Sequence, residues 1–145
     1  MSKFTRILVA PARYVQGRGA ISEIGDHIEP LGKTVLVVGG RTGLEATRSG
    51  RTASFAAKGI TQFEEVFCGE STAAEVERLV AGAKEHKCDV IMASGGGKTI
   101  DTVKMAADKI HAATVICPTI ASSDAPCSRL SPIYDEHGEF VSFYF

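Results

Sequence analysis

Three short apolar runs, each closing on glycine or proline, constrain this chain most. They are Thr34-Val35-Leu36-Val37-Val38 before Gly39-Gly40, Asp89-Val90-Ile91-Met92-Ala93 before Ser94-Gly95-Gly96-Gly97, and Ala113 to Cys117 before Pro118-Thr119. Each is short, rich in β-branched residues and continuously apolar, the pattern of a strand covered on both faces. Helical patterns lie between them. Thr72-Ala73-Ala74-Glu75 is a capping box, and Val76, Leu79, Val80 and Ala83 then share one helical face. Ile100, Val103, Ala107 and Ile110 share another after the glycines. Gly43 to Lys58 is a weaker helix pattern ended by Gly59, and Phe63 to Phe67 is a further strand candidate. Short buried strands alternating with amphipathic helices predict an α/β fold, a Rossmann-like parallel sheet with helices on both faces. Ligands of such sheets bind beyond the carboxyl ends of the strands. Gly39-Gly40, Gly95-Gly96-Gly97 and Pro118-Thr119 all fall there.

The 145 residues suit one domain, 1–145, and 44% hydrophobic residues suffice for its core. A net charge of −1 gives no general attraction to nucleic acid or to an anionic membrane, so neither is expected as a partner. Cys68, Cys88, Cys117 and Cys127 form no CxxC pair, and Cys117 reads as a buried thiol. The expectation is a reduced, cytoplasmic protein. The apolar part of MSKFTRILVAPARY is too short for a signal peptide, and no segment reads as a membrane span. Phe140-Val141-Ser142-Phe143-Tyr144-Phe145 reads as a C-terminal β-hairpin or edge strand. Left unpaired it would be an aggregation hazard, so the expectation is a piece of a longer protein or pairing with another subunit.

The glycine stretch MASGGGKTID fits neither common nucleotide motif. Walker A would need glycine at Met92, and GxGxxG begun at Gly95 would need glycine at Ile100. The physics of anion binding survives without either. Glycines let a phosphate approach the backbone, and a helix N-terminus offers free N–H groups and a positive dipole end. Ser94 to Thr99 therefore reads as an anion cradle, with Lys98 adding charge to a pyrophosphate. The alternative is a ligand-free turn, for which three consecutive glycines are more than is needed. A second loop, Pro118-Thr119-Ile120-Ala121-Ser122-Ser123-Asp124-Ala125-Pro126-Cys127-Ser128, follows a strand pattern. It reads either as a solvated loop with capping turns or as a polar wall around a cofactor and a small polyol.

Together, Gly95-Gly96-Gly97-Lys98-Thr99-Ile100-Asp101 and the second loop closely resemble the glycerol dehydrogenases, metal-dependent alcohol dehydrogenases related to dehydroquinate synthase. Pro11-Ala12-Arg13-Tyr14-Val15-Gln16-Gly17 and Ser131-Pro132-Ile133-Tyr134 are also similar, so the resemblance spans the chain. It implies NAD-dependent oxidation of glycerol, or a similar small polyol, to dihydroxyacetone. Gly96, Gly97 and Lys98, with Thr99 completing their loop, correspond to the pyrophosphate site. Thr119 and Ser122 correspond to the lining of the dinucleotide site, Ser128, Leu130 and Tyr134 to further cofactor contacts, and Asp124 to the substrate-binding aspartate.

Two departures qualify that picture. Gly40, followed by Arg41, stands where relatives carry a ribose-binding aspartate, so NADP as well as NAD is admitted. The family's zinc or iron is held by an aspartate and two histidines of a C-terminal helical domain, which is absent from this chain. His27, His86, His111 and His137 show no ligand spacing, with His86 reading as a solvated helix end and His137 as a turn residue, so no metal site is expected. The expectation is thus an N-terminal dinucleotide-binding domain, from a homo-oligomer, with no complete catalytic set and little or no activity alone. The alternatives are a fragment of a related 1,2-diol or polyol dehydrogenase, and a stand-alone nucleotide-binding module docking through its C-terminal edge.

Overall fold

The computed structural model describes residues 12–145; Pro11 and the part of the N-terminal segment before it lie outside the described residues. A 3-10 turn (Ala20–Glu23) runs into α1 (Ile24–Ile28). There follow β1 (Thr34–Gly39), α2 (Arg41–Ala57), β2 (Thr61–Val66), α3 (Ala73–Glu85), β3 (Val90–Gly95), α4 (Gly97–Ile110) and β4 (Ala113–Pro118). A hairpin of β5 (Ser131–Tyr134) and β6 (Phe140–Tyr144) closes the chain. The main sheet runs β2-β1-β3-β4 with every pair parallel, and β5 and β6 form a separate antiparallel pair.

The central strands explain the layering. Along β1, Leu36 and Val38 face one core and Val35 and Val37 the other, as the period of two in a strand requires. The first core packs Ile91 and Ala93 of β3 against Val76 and Leu79 of α3 and Ile100 and Val103 of α4. The second packs Val90 and Met92 against Ile28 of α1 and Leu44 and Phe55 of α2. Helices thus cover both faces of a parallel sheet, as the continuous apolar runs predict. α3 starts on the expected cap, with Thr72 Oγ1 accepting the Glu75 N–H at 3.1 Å.

The outer strands differ from expectation. β4 is half-exposed rather than buried, because it is the edge of the sheet with no strand beyond it among the described residues. Burial still holds the Cys117 thiol up, at about 11. β2 begins two residues before the predicted Phe63, and its glutamates face partly outward. Arg51 of α2, fully buried, pairs with Glu64 of β2 at 2.8 Å.

This strand order creates a crevice. From β1 the chain crosses to β2 on one side, then returns past β1 to β3 on the other. The carboxyl ends of β1 and β3 are therefore a topological switch point, where the connections diverge. Gly39 and Gly43 make the close approach there possible. A Cβ on either would lie 2.3 Å from the Ser94 carbonyl oxygen. Ser94 Oγ donates to the Gly43 carbonyl at 2.8 Å and lies 2.8 Å from Thr47 Oγ1, locking the start of α2 to the end of β3.

Candidate functional site

α4 opens at the switch point. Gly96 is its N-cap, with extended backbone and no side chain, and the first helical bond runs from the Ile100 N–H to the Gly96 carbonyl. The N–H groups of Gly97, Lys98 and Thr99 precede that bond and so lack a helical acceptor. Thr99 is a buttress: it is buried, and a Cβ on Gly95 would come within 2.8 Å of its Oγ1. Ser94 is no part of the cradle, because its hydroxyl is spent on α2. Of the predicted Ser94 to Thr99 stretch, only Gly97, Lys98 and Thr99 thus offer N–H groups ahead of the first helical bond.

The second loop lies directly against the first. Thr119 N–H donates to the Gly95 carbonyl at 3.0 Å. A Cβ on Gly96 would be 3.0 Å from Ile120 Cγ2, and one on Gly97 2.8 Å from Ser123 Oγ. Three glycines in a row are thus accounted for: Gly95 clears Thr99, while Gly96 and Gly97 clear the polar loop. Cys127 and Ser128 N–H groups both donate to the Asp124 carbonyl, forming a tight turn.

Between the two loops and β5 lies a pocket of about 270 Å³. It brings together six residues singled out from the sequence: Gly97, Lys98, Asp124, Ser128, Leu130 and Tyr134. Gly96, Thr99, Thr119 and Ser122 do not line it; Thr119 and Ser122 are exposed along the loop above. The pocket also contains Ser71 and Asp101, which sequence reasoning did not assign to the site.

Two of the charged side chains that line it, Lys98 and Asp101, are paired. Lys98 Nζ sits 2.5 Å from Glu70 Oε2 and 5.9 Å from the Tyr134 ring centroid. Glu70 also accepts the Ser71 N–H at 2.9 Å. Burial pushes the Glu70 carboxyl up, but Lys98 and that N–H outweigh it and hold it below the usual range. A phosphate drawing on Lys98 must therefore compete with Glu70.

On the opposite wall, Lys104 Nζ contacts Asp101 Oδ1 at 2.8 Å and donates to the carbonyls of Ala125, Ser128 and Leu130 at 3.2, 2.9 and 2.9 Å. Burial raises the Asp101 carboxyl above the usual range, against the pull of Lys104. A lysine three residues after an aspartate on a helix reads as a solvated pair, so the sequence carries no signal for this arrangement.

At the end of β1, Gly40 faces open space: a Cβ there would meet nothing within 4 Å, and Arg41 and Thr42 border a shallow depression. Among the described residues no group of three or more His, Cys, Asp or Glu side chains is arranged to hold a metal ion. His86 is half-buried, ending α3 and stacking on Phe63 with ring centroids 3.7 Å apart, rather than lying free in solvent. Among the described residues no helix is long and apolar enough to cross a membrane.

The chain is similar to known proteins over nearly its whole length. Residues 11–144 match the iron-containing alcohol dehydrogenase family. The chain is 40% identical over 141 residues to a glycolaldehyde reductase of Halobacterium salinarum, covering 97% of this chain and 39% of that protein. It is 41% identical over 135 residues to a glycerol dehydrogenase of Escherichia coli, covering 93% and 37%. The crystal structure of a probable glycerol dehydrogenase from Sinorhizobium meliloti superposes with a TM-score of 0.84 at 37% identity, covering 96% of this chain and 37% of that one. The chain thus spans under two-fifths of the length of these relatives. With a match over nearly all its residues, it belongs to the iron-containing alcohol dehydrogenase family.

Proposed function

We propose that this chain is the dinucleotide-binding part of an NAD-dependent glycerol dehydrogenase. The observation that carries the reading is the side-chain-free N-terminus of α4, at the switch point and facing a polar loop. Beside the bare N-cap Gly96, residues Gly97, Lys98 and Thr99 would present backbone N–H groups to a pyrophosphate, with the Lys98 ammonium exchanging Glu70 for a phosphate oxygen. Ser128, Leu130 and Tyr134 would carry the cofactor along the pocket wall, with Thr119 and Ser122 above. Asp124 is exposed on that wall, where its carboxylate would accept a hydrogen bond from a polyol hydroxyl.

Bound NAD⁺ would supply the hydride acceptor for the alcohol carbon. The protein's contribution is to orient the dinucleotide and the polyol relative to each other. The described residues do not offer a donor set for the zinc or iron of the family's chemistry. The chain alone is accordingly expected to bind dinucleotide and not to turn over glycerol. Its setting in this reading is a cytoplasmic homo-oligomer, in which a covering surface would meet the exposed Phe140, Phe143 and Phe145.

Two specific observations favour neighbouring readings. The similarity to a glycolaldehyde reductase supports a related small hydroxy-aldehyde or 1,2-diol as substrate. The open Gly40 with Arg41 beside it supports NADP as cofactor. Calorimetric titration with NAD⁺ and NADP⁺, with Gly97→Val as control, tests the proposal. Binding abolished by the valine is the expected result. No binding of either dinucleotide by a folded chain would contradict it.

A further inference from the structure

The polar wall of the pocket has little backbone structure of its own. Between Ser123 and Leu130 its backbone N–H bonds are local: Cys127 and Ser128 to the Asp124 carbonyl, Ala125 to Ser123 Oγ, and Leu130 to Ser128 Oγ. Three of its carbonyls turn inward and converge on the Lys104 ammonium. We propose that Lys104, braced by Asp101, is the positioning residue of this pocket, holding the 123–130 wall so that Asp124 and Ser128 face the cavity.

The chemistry favours a lysine. Its ammonium carries three protons on one centre, and four oxygens gather around it, the Ala125 carbonyl being the longest contact at 3.2 Å. A planar guanidinium cannot aim donors at acceptors arranged around a point. The Lys104 side chain is only 14% exposed, so its charge needs a partner, and Asp101 supplies one. Asp101 in turn accepts from Ser131 Oγ at 3.3 Å, at the first residue of β5. One ion pair thereby joins α4, the wall and the hairpin. The carbonyls it holds belong to residues that themselves line the pocket.

This inference deepens the dinucleotide reading and rests on it for the ligand, but the wall itself can be tested without one. Hydrogen exchange is followed on the full chain for the wild type, Lys104→Met, Lys104→Arg and, as control, Lys109→Met, whose ammonium pairs with Glu77 on the surface. The expected result is exchange about tenfold faster or more at Cys127, Ser128 and Leu130 in Lys104→Met, with β1 and β3 still protected, and incomplete recovery in Lys104→Arg. Affinity for NAD⁺ should fall about tenfold in Lys104→Met and not at all in Lys109→Met. Wild-type exchange rates in the wall of Lys104→Met would overturn the proposal whatever happens to binding. A wild-type chain that binds no NAD⁺ would overturn the dinucleotide reading instead, while the exchange rates still decide the role of Lys104. Should Lys104→Met fail to fold, Asp101→Asn keeps the shape and should show the same wall-confined effect, smaller in size; unchanged exchange there would count against the proposal.

Discussion

Gly39 and Gly40 are neighbours in the chain and opposites in the structure. A Cβ on Gly39 would lie 2.3 Å from a backbone carbonyl, whereas one on Gly40 would meet nothing within 4 Å. The glycines that open α4 form a third kind: Gly96 and Gly97 abut the side chains of the polar loop, Ile120 and Ser123. Glycine therefore serves three ends at one switch point. At β1 it permits packing, at the start of α2 it leaves a position empty, and at α4 it bares a helix N-terminus beside a polar wall.

The largest expected effect follows from the packing role. Gly39→Ala and Gly43→Ala each press a methyl group into the Ser94 carbonyl, which is backbone and cannot swing aside. Each should cost about 3 kcal/mol, read by denaturant unfolding. A loss under about 0.5 kcal/mol would show that α2 and β3 are less closely fitted than described. Next comes Gly97→Val, which meets a movable serine side chain and should leave stability nearly intact. It should weaken dinucleotide binding by roughly 100-fold or more, since charge-assisted bonds from two N–H groups are worth about 1.5–3 kcal/mol each. A large stability loss with unchanged affinity would reverse the distinction between the two glycine turns.

Gly40→Asp is the smaller, sharper test. Its backbone, with φ −63° and ψ 159°, suits any residue, and an aspartate there can also cap α2. Stability should hold or rise by about a few tenths of a kcal/mol, while preference should move towards NAD⁺ over NADP⁺ by about tenfold. Unchanged selectivity would remove Gly40 from the adenosine end of the site.

The smallest effect concerns the loop that carries Glu70. Glu75 accepts the Cys68 N–H and pairs with Arg78. Burial pushes its carboxyl up, but Arg78 and that N–H prevail and hold it below the usual range. A depressed carboxylate contributes stability that is full above the unfolded-state value of about 4.3 and lost as pH falls through the folded value. Glu75→Gln should therefore cost about 1 kcal/mol at neutral pH and flatten the loss of stability below about pH 4. An unchanged acid limb would contradict this.

The sheet centre was legible because β1 and β3 are apolar on both faces, and only a doubly covered parallel strand needs that. The edges were less so. β4 carries the same apolar pattern yet lies half-exposed, since pattern reports what a strand can bury and not which position it takes in the sheet. α2 gave a weak helical signal because Gly43 and Gly50 substitute close backbone contact for an apolar stripe; a Cβ on Gly50 would sit 2.9 Å from Ile21 Cγ2. At the candidate site, the glycine loop could be read from local residue types, while Asp124 was singled out only through the family resemblance. Glu70 and Lys104 could not, because their roles depend on partners 21 or more residues away that only folding brings near.

The most direct test is a backbone amide NMR titration of the ¹⁵N-labelled chain with NAD⁺. The account predicts the largest shifts at Gly96, Gly97, Lys98 and Thr99, followed by the 123–130 wall, with β2 and the far end of α3 unmoved. Shifts centred elsewhere, or none at the start of α4 while NAD⁺ binds, would contradict the claim that this helix N-terminus is where the dinucleotide sits.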